Sequence, residues 1–230
     1  MKLLFTFPLA LLLVTVSLHA ECIPGHNAAS RIVCNATEDL DQLFNASDRG
    51  VPLDLLNKAS CVIVVPDLKK GGFIVGGEYG RGLFSCRKPD GIGWSAPGFI
   101  KVMGGKFGLL IGGAEADVLM LVMNQDGMRH LLRNKVQLGG EVSAAAGPVG
   151  RNVSAMTDAE LHAEILTYSR QRGIFGGLDL SGSAILEDSD LIYEAYGQKR
   201  TNKEVITGEV QTPEVGQPFM KTLTRFSSRK

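Results

Sequence analysis

The 230-residue chain carries no net charge, with 24 basic and 24 acidic side chains, and it has only four histidines. A balance this even gives no reason to expect nucleic acid as a partner, since phosphate-backbone binding calls for a basic surplus. His19, His26, His130 and His162 stand singly, without an H-x-x-x-H or H-E-x-x-H spacing, so no metal site is expected. No G-x-S-x-G elbow occurs, and Ser95 and Ser183 sit near glycines without a neighbouring base. Gly104-Gly105-Lys106 is followed by Phe107 rather than Ser or Thr, and Gly77, Gly80 and Gly82 run in the wrong order for a dinucleotide loop. Lacking a convergent acid, base or nucleophile, the chain is expected to bind rather than to catalyse, and to need no cofactor. Beyond residue 20 no apolar run reaches the roughly 20 residues that span a bilayer.

What is present begins with Lys2, an apolar stretch from Leu3 to Val16, and Ser17-Leu18-His19-Ala20, the layout of a secretory leader cleaved after Ala20. Residues 1–20 are therefore expected to be removed, which places the rest outside the cytoplasm, periplasmic or extracellular and at most peripheral to a membrane. Glu21, where a small residue would be required, argues against lipidation at Cys22. All four cysteines, Cys22, Cys34, Cys61 and Cys86, follow the leader, and an even count in an oxidising compartment favours disulfides. The absence of CxxC removes most support for zinc or redox chemistry. Cys22 with Cys34 and Cys61 with Cys86 is the expected pairing, although connectivity is not fixed by sequence and buried free thiols are the alternative.

Periodicity then divides the chain. Ile32, Ala36, Leu40, Leu43 and Phe44 recur at helical spacing over 28–46, and a short helix follows from Pro52. Cys61 to Val65 is a β-branched run expected to stop at Pro66. Residues 71–113 hold half of the 28 glycines, interleaved with apolar, β-prone residues, which predicts strongly curved strands near 72–79, 82–88 and 99–112 with a turn at 89–91. A strand over 117–124, a helix over 125–133 and a strand over 136–146 follow. The stretch 163–170 fits a helix or a strand, and the strand is preferred, with 174–186 as its partner. A closing helix over 187–196 ends at Gly197, and 198–230 reads as a polar, loosely held tail with a short helix after Pro218. The expected fold is α+β: a curved, glycine-rich antiparallel sheet or partly closed barrel with a few short helices. It occupies one domain, 21–197.

Local charge is uneven where global charge is not. Residues 66–106 carry Lys69, Lys70, Arg81, Arg87, Lys88, Lys101 and Lys106 against Asp67, Glu78 and Asp90, whereas 38–54 carry five acids and only Arg49. A basic strand region beside apolar glycine-rich sequence suits an anionic membrane surface, and Lys69, Lys70, Arg81, Arg87, Lys101 and Lys106 are the candidate lipid contacts. A solvated basic face is the alternative.

Six ordered blocks carry a resemblance: VPLDLLNKASCVIVVP at 51–66, GGFIVGGEYGRG at 71–82, WSAP at 94–97, GGKFGLLIGGAEADVLMLVMN at 104–124, LGGEVSAAAGPVGRN at 138–152 and YSRQRGIFGGLDLSGSAI at 168–185. Together they resemble the SYLF domain. The resemblance implies a sheet-dominated α+β fold and phospholipid binding, with phosphoinositides the usual eukaryotic ligands and actin binding in some fungal members. It implies no catalytic residues. Here a leader precedes the blocks and the first helix is acidic, which turns the expectation towards anionic envelope lipid, with another envelope protein as the alternative partner. Arg81, Arg151, Arg170 and Arg172 lie within the blocks.

Overall fold

The computed structural model describes residues 22, 25–46, 50–72, 75–107, 112–148, 162–171 and 174–227. Helix α1 (Ala28–Asn45) begins at Asn27, whose side chain accepts from the Ser30 N–H, and buries Ala29, Val33, Ala36, Leu40, Leu43 and Phe44 along one stripe. Pro52 precedes α2 (Leu53–Lys58). Four long strands follow: β1 (Cys61–Gly72), β2 (Val75–Cys86), β3 (Gly98–Phe107) and β4 (Gly112–Val122). Then come α3 (Gln125–Leu131), β5 (Lys135–Gln137), β6 (Ala144–Ala146), β7 (Ile165–Gln171), β8 (Ile174–Gly177) and β9 (Ala184–Glu187). Three helices complete the described chain: α4 (Ser189–Tyr196), α5 (Asn202–Thr207) and α6 (Gln217–Phe226).

The strands form one mixed sheet in the order β5-β9-β3-β2-β1-β4-β7-β6, with β8 also on β7. Only β6 and β7 run parallel among these pairs. Laid flat, the eight strands from β5 to β6 would separate the two ends by roughly 34 Å at about 4.8 Å per strand. Residues 138–143 alone connect β5 to β6, and so short a link reaches at most about 25 Å. The sheet must curl, and it does so as a half-barrel around Ile63, Val65, Leu68, Phe84, Val102, Met120 and Ile185, closed by Leu138, Val142 and Leu180. Its outer face packs Val64, Leu83, Phe99, Leu119 and Tyr168 against α1, α2, α4 and α6. The α+β expectation holds.

Several boundaries differ for physical reasons. Pro66 does not end β1, because a β-bulge between Val65 and Leu68 absorbs the missing N–H, with Asp67 at φ +49°. The strands expected at 72–79 and 82–88 are one strand. The expected 99–112 strand is β3 as far as Phe107, and Gly112 already belongs to β4; the expected 136–146 strand divides in two, and β5 and β6 reach opposite ends of the sheet. The expected 174–186 strand divides into β8 and β9, whereas 163–170 does form a strand, β7. The tail is not loosely held through 227: Thr201 and Glu204 build a capping box for α5, and α6 buries Phe219 and Leu223 completely while Phe226 stacks 5.3 Å from Phe44 of α1. The leader, Arg151 and Arg172 lie outside the described residues. Cys22 is bonded to Cys34 and Cys61 to Cys86, the pairing expected from sequence.

Candidate functional site

Register places the outward side chains of β4, β1, β2 and β3 in cross-strand rows, since directly opposed residues share a face. Beneath the helices lies the apolar row of Leu119, Val64, Leu83 and Phe99. Farther along the strands the helices no longer cover the sheet. Glu115, Lys69, Tyr79 and Met103 form the next fully exposed row, with Tyr79 and Met103 each 46% exposed. Beside it runs a row without side chains: Gly113, Gly71, Gly77 and Gly105, all exposed. A Cβ at Gly105 would meet nothing within 4 Å, so the interior does not demand glycine there. The result is a flat strip of backbone next to an aromatic ring and a thioether.

The six basic candidates do not share one environment. Lys69 projects from the exposed row and pairs with Glu115 at 3.5 Å. Arg81 and Lys101 lie opposite each other on the same face, nearer the helices. Arg81 grips Asp188, the N-cap of α4, through two hydrogen bonds of 2.7 and 2.9 Å. That contact raises the Arg81 pKa; at Asp188 burial pushes upward, yet the hydrogen bonds from Arg81 and from the Leu191 N–H outweigh it and hold the carboxyl below its ordinary value. Lys70 points to the inner face, 3.3 Å from the buried Glu78, which also accepts from Ser183. Arg87 is buried at the far end of β2, over the Trp94 ring at 3.8 Å and donating to the Leu56 carbonyl. Lys106 falls opposite Gly76 near the end of β3. Lys69, Arg81 and Lys101 therefore share a face; Lys70 and Arg87 do not join them.

Sequence reasoning missed the exposure of Tyr79 and Met103, which count as ordinary apolar strand residues until register shows the helices ending short of them. It also missed a polar cluster where α1 crosses the sheet. Arg170 of β7 donates to Asp39 of α1 at 2.9 Å and to Asp117 of β4 at 2.5 Å. Burial, and then the Asp117 charge, push the Asp39 carboxyl up to about 8. An open groove of about 620 Å³ runs from Asp117 and Arg170 past Asp67 and Lys69 to Gly113. A second, polar groove of about 910 Å³ beside α4 and α5 sets Arg200 among Glu204, Glu209 and Glu214, away from the exposed strand face. Among the described residues no group of three His, Cys, Asp or Glu side chains could hold a metal ion, and no helix is long and apolar enough to cross a membrane.

The model of the Ysc84 family, described as Las17-binding protein actin regulator, matches residues 103–226. LAS seventeen-binding protein 3 of Saccharomyces cerevisiae is 32% identical over 186 residues, 80% of this chain and 40% of that protein. Protein YSC84 of the same yeast is 32% identical over 186 residues, covering 39% of its length. SH3 domain-containing YSC84-like protein 1 of Mus musculus is 30% identical over 203 residues, 87% of this chain and 58% of that protein. The chain thus spans about half or less of the yeast relatives and little more than half of the mouse one.

Proposed function

The chain belongs to the Ysc84, or SYLF, family of binding and adaptor proteins, and from that premise we propose that it is a non-catalytic binding module that docks on anionic phospholipid through the uncovered outer face of β1–β4. One observation carries the reading: Tyr79 and Met103 stand exposed side by side, against a four-glycine strip and flanked by Lys69 and Lys101. A flat backbone surface lets a partner approach closely, the ring and thioether supply apolar contact at an interface, and the lysines supply attraction to anionic headgroups. The leader pattern and two disulfides support a compartment outside the cytoplasm, periplasmic or extracellular.

Cosedimentation with phosphatidylglycerol-containing vesicles tests the proposal. Each basic residue near such a surface contributes about 1 kcal/mol, so Lys69→Glu with Lys101→Glu should weaken binding at least about tenfold, and salt should weaken it too. Tyr79→Ser with Met103→Ser should reduce what binding remains at high salt. Wild-type sedimentation by both folded double variants would remove the reading.

A second reading is supported by the charges themselves. Lys69 and Arg81 already face Glu115 and Asp188, which leaves the strip closer to neutral than its lysines suggest and better suited to a protein surface. The relatives' names fit this, since they refer to Las17 binding and the family description to actin regulation. Actin filaments in a parallel cosedimentation arm separate the two: retention by filaments with indifference to vesicles selects protein docking.

A further inference from the structure

Asp39 is 5% exposed, inside the contact between α1 and the sheet. Charged groups face it from three strands: Asp117 from β4, Arg170 from β7 and Asp67 from the bulge of β1. Arg170 bridges Asp39 Oδ1 and Asp117 Oδ2. The other Asp117 oxygen accepts from the Asp67 N–H, and Asp67 in turn accepts from Asn35 of α1, both at 3.3 Å. Asp39 Oδ2 is buried and has no hydrogen-bond partner among the described residues. Three carboxyls thus meet one guanidinium. Fully ionised, the cluster would hold two uncompensated negative charges, and an orphaned carboxylate oxygen would lie buried near a second carboxylate, an arrangement that favours taking up a proton.

We propose that Asp39 and Asp117 share one proton and, with Arg170, form a latch that clamps α1 to the sheet and loosens when that proton is lost. In the closed state the protonated carboxyl supplies the donor that the orphaned oxygen lacks, while Arg170 neutralises the remaining charge. When the proton passes to solvent, the two carboxylates and Asp67 repel across the line between helix and strands, and one arginine cannot balance them. Val33, Ala36, Leu40 and Leu43 hold the same helix by apolar packing, so the proton tunes the α1 contact rather than creating it. The latch is independent of whether the exposed strip binds lipid or protein.

Carboxyl-carbon NMR of the full chain, followed from acid to alkaline pH, tests the pair directly. The Asp39 carboxyl should titrate near 8, far above an ordinary aspartate. Hydrogen exchange gives the mechanical readout. After correction for intrinsic rates, protection of α1 amides should fall about tenfold between about pH 7 and about pH 9 in the wild type, the change that one unit of linked titration produces. In Asp39→Asn, whose amide can donate to Asp117 at every pH, that loss should shrink to less than about twofold. An Asp39 carboxyl that titrates below about pH 5, or an unchanged pH response in Asp39→Asn, would overturn the latch. If Asp39→Asn fails to fold, the wild-type carboxyl titration decides alone.

Discussion

Arg81 and Asp188 show how a charge that suggests a ligand contact can be held by the fold. Arg81 sends its guanidinium across to the α4 cap, and Asp188 is 2% exposed, so removing the arginine strands a buried carboxylate. Arg81→Ala should cost about 2 kcal/mol at neutral pH, less than a fully buried pair because the arginine is partly solvated. The sign of its pH dependence follows from Asp188. A carboxyl held below its unfolded pKa stabilises the fold above the ordinary carboxylate range and loses that contribution as pH falls through the folded value. Urea midpoints should therefore separate wild type from Arg81→Ala at neutral pH and converge in acid; a constant separation down to acid pH would assign the loss to packing alone. Asn202 acts through geometry instead, accepting from the Phe99 N–H at 2.9 Å and donating to the Phe99 carbonyl at 2.8 Å, like a short strand on the edge of β3. Asn202→Ala should lower stability by about 2 kcal/mol, because it orphans the buried Phe99 N–H while the Phe99 carbonyl keeps only its bond from the Asp188 N–H at 3.0 Å, and thermal melts will measure it.

At the scale of elements, glycines of opposite duty lie a few residues apart. A Cβ on Gly82 would fall 2.2 Å from the Val64 carbonyl oxygen and one on Gly80 2.7 Å from Val65 Cγ1, where the β1 bulge leans over β2. Gly105 opens onto space. Gly82→Ala should then cost about 3 kcal/mol through forced backbone movement, whereas Gly105→Ala should leave chemical stability unchanged or raise it by about 0.5 kcal/mol while roughening the exposed strip. Matching denaturation curves for the two variants would refute the distinction. Sequence density alone could not draw it: it showed that glycine-rich strands would curve, and it located β1 to β4, but the duty of each glycine depends on which strand leans over it. Pro66 misled in the same way, because a proline stops a strand unless a bulge receives it, and the bulge is set by pairing with both β2 and β4. The basic candidates were legible as residues and not as a surface, since alternation sends Lys69 and Lys70 to opposite faces. The short helix expected after Pro218 is α6, but the polar spacing of 198–230 hid its docking, because its stripe, Phe219, Met220 and Leu223, becomes apolar cover only when α1 is beneath it.

In the whole molecule the two disulfides fasten parts of unequal depth. Cys61 and Cys86 face each other on the central strands β1 and β2, both 0% exposed inside the half-barrel, so a reductant reaches them only if the curled sheet opens. Cys22 is only half-buried and ties the segment before α1 to Cys34, which is 7% exposed on the helix. Local fraying at the start of α1 exposes that bond without disturbing the sheet. Loops of these lengths constrain the unfolded chain by about 3 kcal/mol each, so losing both should matter far more than losing one. Mild reduction under native conditions, quenched by alkylation and read by intact mass, should first yield a species with two modified cysteines, mapped to Cys22 and Cys34. The fully modified form should grow only at the rate of global unfolding and accelerate in urea. The same spectra report the expected start at Glu21 after loss of the leader. Simultaneous appearance of four modified cysteines would mean that the sheet opens as readily as the start of α1 frays, and the closure of the half-barrel by Leu138, Val142 and Leu180 would then be the weak point of the fold.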